Sequence, residues 1–198
     1  MRPPTDDARA RDVSEAIVTI PNAISAVRIL LIPAFVALIV HDGTEAAGIV
    51  LFASVAATDW VDGAIARRTG QVSRLGAVLD PVADRLAIGA GLVAFVVADA
   101  VPLWVALAVV LRDAVVLIVG AIALAARGIR VEVRSLGKIA TFGLMVSVTG
   151  IAWGHVDVPL AATATALGWL VFPVALVEYY VATAMYVGDL RRALASRR

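Results

Sequence analysis

Four aspartates, Asp59, Asp62, Asp80 and Asp84, stand within one stretch of 26 residues, inside or beside segments that otherwise read as hydrocarbon spans. On the mild insertion scale a carboxylate at the centre of a bilayer costs roughly 2.5–3.5 kcal/mol. A chain that keeps four of them has to give them partners, and their spacing suggests how. A helix turns about 100° per residue, so Asp59 and Asp62 (i, i+3) share one face, and so do Asp80 and Asp84 (i, i+4). Between the pairs, residues 68–76 are polar and bounded by glycine, which reads as a short turn. Two antiparallel helices then present two carboxylates each to a shared cleft. Carboxylates that converge without an equal number of nearby Lys or Arg make an all-oxygen site for a hard divalent cation.

Composition says what surrounds such a cleft. The 198 residues suffice for one domain, and 61% of them are hydrophobic, beyond what soluble globular domains carry. Cysteine is absent, which excludes disulfides and thiolate metal sites. A net charge of +1 says little, since what matters is where the charges sit, and no nucleic-acid partner is expected. The polar start MRPPTDDARARDVSEA lacks a signal-peptide hydrophobic region. The chain therefore reads as an all-α polytopic membrane protein. Residues 1–12 are expected to be a disordered tail, 13–190 the membrane domain and 191–198 a basic tail. Within the domain, residues 13–24 suit a short interfacial helix interrupted at Pro21. Six transmembrane helices follow, over about 25–40, 46–68, 77–98, 102–126, 136–153 and 160–187.

The basic residues orient these spans. Connections after spans one, three and five hold Asp42, Glu45, Asp99 and Asp157 but no Lys or Arg. Arg68 and Arg74 follow span two, Arg127, Arg130 and Arg134 follow span four, and Arg191, Arg192, Arg197 and Arg198 close the chain. By the positive-inside rule both termini are cytoplasmic, and the aspartates face the cytoplasmic side of the cell membrane.

The same residues carry a resemblance. Asp59, Asp62, Gly63, Ala66, Arg67, Gly76, Asp80 and Asp84 fit D-x2-D-G-x2-A-R-x8-G-x3-D-x3-D without a gap. That pattern resembles the signature of the CDP-alcohol phosphotransferases. IPNAISAVRILLIP before it and LGKIATFGLM at 136–145 resemble the bacterial phosphatidylglycerophosphate synthase and CMP-forming cardiolipin synthase branch. The resemblance covers most of the chain. It implies a homodimeric six-helix membrane enzyme that transfers a substituted phosphate from a CDP-alcohol to a hydroxyl acceptor, releasing CMP. It also implies a two-metal centre of Mg²⁺ or Mn²⁺ on Asp59, Asp62, Asp80 and Asp84, with Asp84 as general base. Gly63, Ala66, Arg67, Ser73 and Gly76 would border the CDP part. In this branch the donor is CDP-diacylglycerol, and the acceptor is a glycerol headgroup: phosphatidylglycerol or glycerol 3-phosphate.

Elementary chemistry agrees with those roles. Divalent metals clamp a pyrophosphate and neutralise charge on leaving CMP. Gly63 lets a helix backbone approach the nucleotide, Ala66 keeps the cleft open one turn after Asp62, and Arg67 offers a phosphate a bidentate contact. Asp84 has to take a proton from an alcohol while lying near the metals. No Ser, Cys or His stands inside the cluster as an obvious nucleophile, which favours direct attack.

Other readings stay open at this point. The aspartates also fit intramembrane salt bridges with Arg67, Arg85 and Arg112, or the ion path of a cation or proton transporter. A transporter of that kind usually shows two related halves with broken helices, and no such pair is visible. Asn22, Ser25 and Arg28 fit either the border of the nucleotide site or plain helix packing. Arg112 fits an acceptor role or pairing with a neighbouring helix. Arg130, Arg134 and Lys138 fit cytoplasmic anchors or a basic pocket for an acceptor phosphate. Inositol phosphate is the alternative acceptor. Trp104, Trp153, Tyr179, Tyr180 and Tyr186 read as interfacial or packing aromatics.

Overall fold

A backbone in hydrocarbon has to satisfy its N–H and C=O groups internally, and long apolar runs do so as helices. The computed structural model describes residues 20–69, 76–127 and 135–195, all helix apart from short connections. Side chains at 20–22, 24, 59–69, 76–81, 121, 123–127, 135–136, 138 and 193–195 are outside that description. The helices are α1 (Ile20–Val40), α2 (Glu45–Thr69), α3 (Gly76–Val97), α4 (Leu103–Arg127), α5 (Ser135–Trp153) and α6 (Ala161–Ala195).

From α2 to α5 each helix begins and ends within one residue of the span expected from sequence. Two expectations change. The break at Pro21 is absent: α1 is continuous from Ile20, with Pro21 as its second residue. A proline there removes no needed hydrogen bond, and its fixed φ already suits a helix. The other change is the end of α6, which runs on past Val187 to Ala195 and carries Arg191 and Arg192 as helical residues. The expected tail over 1–12, the first part of the interfacial helix and the last three residues lie outside the described residues.

Two stretches, Leu103–Gly120 in α4 and Ala161–Arg192 in α6, are long and apolar enough to cross a membrane. Only 22% and 17% of these windows are buried, so neither is the core helix of a soluble protein. Leu111, Ile118, Leu170, Val174 and Val177 point outward, a placement that lipid makes favourable and water does not.

The chain divides into two compact units, residues 1–94 and 95–198. In the first, α1 packs on α2 around Phe35, Ile39, Ile49 and Phe52, all buried. The link over 41–44 is closed by Thr44, whose hydroxyl donates to the Leu38 carbonyl at 2.8 Å. Immediately beyond it the two helices nearly touch: a Cβ at Gly48 would stand 2.6 Å from the Ile39 nitrogen. In the second unit α5 packs on α6 through small residues, as close packing in lipid favours. A Cβ at Gly168 would stand 2.7 Å from the Ser147 carbonyl, and one at Gly150 would stand 2.8 Å from that of Ala164. Against α6, α4 sets Trp104 on Trp169 and Phe172, at ring separations of 6.1 and 5.5 Å.

Candidate active site

Contacts in the first unit allow the levels of the three helices to be counted. Ile39 of α1 meets Gly48 of α2. Four residues back along α1 and four forward along α2, Phe35 meets Phe52 edge to face at 5.5 Å. The two helices are therefore antiparallel and in constant register. On α3, a Cβ at Gly91 would strike the Phe52 ring. From that layer α2 runs about 25 Å to Thr69, and α3 begins about 22 Å before Gly91. The six intervening residues reach at most about 25 Å, far short of the roughly 48 Å that a parallel arrangement would demand. So α2 and α3 are antiparallel as well.

Seven residues are two turns within about 20°, which keeps the same face. Counting seven from the Phe35–Phe52–Gly91 layer towards the 70–75 connection leads to Arg28 on α1, position 59 on α2 and Asp84 on α3. These three share one level, about 10 Å along the helices from the aromatic layer. An observed contact confirms the count for α1 and α3: Arg28 Nη1 donates to Asp84 Oδ1 as an ion pair. One turn further on come Ser25, position 62 and position 80. Ser25 is buried, as Arg28 is.

The backbone of α2 carries Asp59, Asp62, Gly63, Ala66 and Arg67, and that of α3 carries Gly76 and Asp80. Their side chains, with those of Asn22 and Lys138, lie outside the described residues, as do Ser73, Arg134 and residues 70–75 of the turn expected over 68–76, whose ends belong to α2 and α3. Among the described residues no group of three or more potential metal ligands stands together. Asp84 is the one aspartate of the four whose side chain is described. It is 27% exposed, so it reaches the outside of the helix layer rather than being sealed in it. Four carboxylate positions on two adjacent levels, with neither sulfur nor imidazole among them, fit Mg²⁺ or Mn²⁺.

Arg112, which the sequence left between two readings, is held in the second unit by α4 and α6. Its Nη1 donates to Asp113 Oδ1 at 2.9 Å, its Nη2 to the Tyr179 carbonyl at 3.3 Å, and its Nε to the Thr183 hydroxyl. The guanidinium also lies over the Tyr179 ring, 3.8 Å from its centroid, a cation–π contact. The Tyr179 hydroxyl donates to the same Asp113 oxygen. These are the contacts of helix–helix pairing. Sequence reading missed Tyr179 as the hub of this network, because a tyrosine in an apolar span reads first as packing. Its available signal was the Arg112-Asp113 pair, which needs a polar partner wherever it is buried. Tyr179→Phe leaves the buried Asp113 short of a donor and is expected to destabilise the protein by about 1–3 kcal/mol. A thermal midpoint in detergent measures this, and an unchanged midpoint would count against the network.

The family model for CDP-alcohol phosphatidyltransferase matches residues 18–180. A Mycobacterium tuberculosis protein provisionally named a cardiolipin synthase is 36% identical over 172 residues, covering 86% of this chain and 81% of its own. The CMP-forming cardiolipin synthase of Streptomyces coelicolor is 32% identical over 195 residues, 96% of this chain and 91% of its own. The CDP-diacylglycerol–glycerol-3-phosphate 3-phosphatidyltransferase of Bacillus subtilis is 34% identical over 146 residues, 67% and 75% of the two chains. No solved structure matches. The matched region takes in α1 with Arg28, both aspartate-bearing helices and α6 as far as Tyr180, and on that extent the chain belongs to the CDP-alcohol phosphatidyltransferase family.

Proposed function

We propose that this protein is a membrane phosphatidyltransferase that moves the phosphatidyl group of CDP-diacylglycerol to the hydroxyl of a glycerol headgroup and releases CMP. The observation that carries this reading is the register of α2 and α3, which brings four aspartate positions to two adjacent levels of one helix layer. Asp59, Asp62, Asp80 and Asp84 would hold Mg²⁺ or Mn²⁺, which when bound neutralises the pyrophosphate and the charge left on CMP. Gly63 and Ala66 make room for the nucleotide against the α2 backbone, and Arg67, Ser73 and Gly76 border its phosphates. Asp84 takes the proton of the acceptor hydroxyl. The acceptor oxygen bonds to the phosphorus that bears diacylglycerol, the bond from that phosphorus to CMP breaks, and CMP leaves with the electron pair.

Six spans, with both termini and the aspartate ends of α2 and α3 on the cytoplasmic side of the cell membrane, accord with the arginines that follow α2, α4 and α6. A homodimer is the assembly expected of the family. For the acceptor, phosphatidylglycerol is favoured by the two relatives with the wider coverage, both named cardiolipin synthases. Glycerol 3-phosphate is the second reading, supported by the B. subtilis relative. In that case Arg134 and Lys138 would supply the pocket for its phosphate.

A product assay separates the acceptors. Purified protein would receive CDP-diacylglycerol and Mg²⁺ with either phosphatidylglycerol or glycerol 3-phosphate, and the lipid formed would be identified. Cardiolipin from the first mixture and no phosphatidylglycerophosphate from the second is the expected result. Phosphatidylglycerophosphate alone would reverse the choice of acceptor and leave the donor chemistry in place.

A further inference from the structure

We infer that Arg28 is a positioning residue of this site, a fixed cation that holds the Asp84 carboxylate by one oxygen at the level of the metal-holding aspartates. The role of Asp84 rests on the proposed transferase reading, whereas the location of Arg28 rests on geometry alone. Arg28 lies on α1, outside the aspartate-bearing segment, and its side chain is only 4% exposed. Its Nη1 engages Oδ1 of Asp84, 56 residues away in sequence. The helix register independently brings it level with position 59. Burying a guanidinium is costly, and an aliphatic side chain would fill the same space without that cost. A charge kept at this level has an electrostatic task.

Two consequences follow. With Oδ1 held by the guanidinium, the plane of the Asp84 carboxylate is fixed and the second oxygen is presented in one direction. That is the order a proton acceptor needs. The second consequence is a charge effect. A unit positive charge on Asp84, level with position 59, weakens the attraction of the proposed site for a divalent cation, and it compensates the pyrophosphate when the donor arrives. Arg28 therefore lowers metal affinity in the empty cleft while serving turnover. A residue that merely supported the fold would do the reverse: its loss would loosen the cleft and weaken metal binding.

The sign of the change in metal affinity is the test, and it needs no substrate. Mn²⁺ would be titrated by EPR into the purified full-length protein, Arg28→Gln and Arg28→Lys. Binding at least tenfold tighter is expected in Arg28→Gln, because removing a unit charge about 6 Å from a divalent ion is worth about tenfold even at the dielectric of water, near 80. Arg28→Lys should stay within about twofold of the wild type, since the charge is kept. In turnover, Arg28→Gln should lose about a hundredfold in kcat with donor KM changed far less. Arg28→Lys should recover only part of this, because its ammonium keeps the charge but does not reproduce the position from which Nη1 engages Asp84 Oδ1. Equal or weaker Mn²⁺ binding in Arg28→Gln would overturn the inference. If Arg28→Gln does not fold, Arg28→Lys decides: kcat lowered tenfold or more at an unchanged donor KM supports it, and wild-type kcat overturns it. A wild type that binds Mn²⁺ but releases no CMP would refute the transferase reading and leave the Mn²⁺ comparison standing. A wild type that binds no Mn²⁺ would overturn both.

Discussion

Asp80→Asn is expected to reduce transfer by about three orders of magnitude or more, the loss of several kcal/mol of charge stabilisation at the leaving CMP. Position 80 lies one turn from Asp84 and level with position 62, so on the proposed reading an amide there would remove one of the four negative charges assigned to the metals. The change is nearly isosteric, and α3 should still form and insert. Two measurements check this together: the transfer rate, and recovery of folded protein from the membrane. Wild-type transfer in a folded Asp80→Asn protein would refute the assignment of position 80 to the metals.

Asp84→Asn should lower kcat by about two to four orders of magnitude, with a smaller change in donor KM. Its carboxylate is the one assigned to the acceptor's proton, and an amide cannot take that proton. Steady-state kinetics in CDP-diacylglycerol separate this from a binding defect. A raised KM at unchanged kcat would transfer Asp84 from proton acceptor to donor binding. The two aspartates are therefore distinguishable although they sit one turn apart.

Much of this arrangement was legible in the sequence, for identifiable reasons. Apolar runs bounded by charge, Gly or Pro located α2 to α5 to within a residue. The helices then carry positions 59 and 62 one turn apart on α2, and 80 and 84 one turn apart on α3. Pro21 misled because proline was read as a break, when near a helix start it is compatible with the helix. The end of α6 was missed because Leu190 to Ala195 mixes charged with apolar residues and no longer looks like a span, yet the helix continues there with Leu190 buried and Arg191 and Arg192 exposed.

The pairing of Arg28 with Asp84 was out of reach for a different reason. It depends on how far α1, α2 and α3 slide past one another, a non-local quantity that composition and periodicity do not contain. The structure sets it through the short link over 41–44, the close approach at Gly48 and the Phe35–Phe52–Gly91 layer. Once one layer is known, intervals of seven residues supply the rest. Tyr179 was hidden in the same way, since its role depends on which face of α6 meets Asp113.

The most direct test of the account compares CMP release from CDP-diacylglycerol, with Mg²⁺ and phosphatidylglycerol present, by the wild-type protein and by Asp80→Asn. One CMP for each cardiolipin formed is expected from the wild type and almost none from a folded Asp80→Asn protein. Equal release by the two proteins, or none by the wild type with any glycerol-headgroup acceptor, would contradict it.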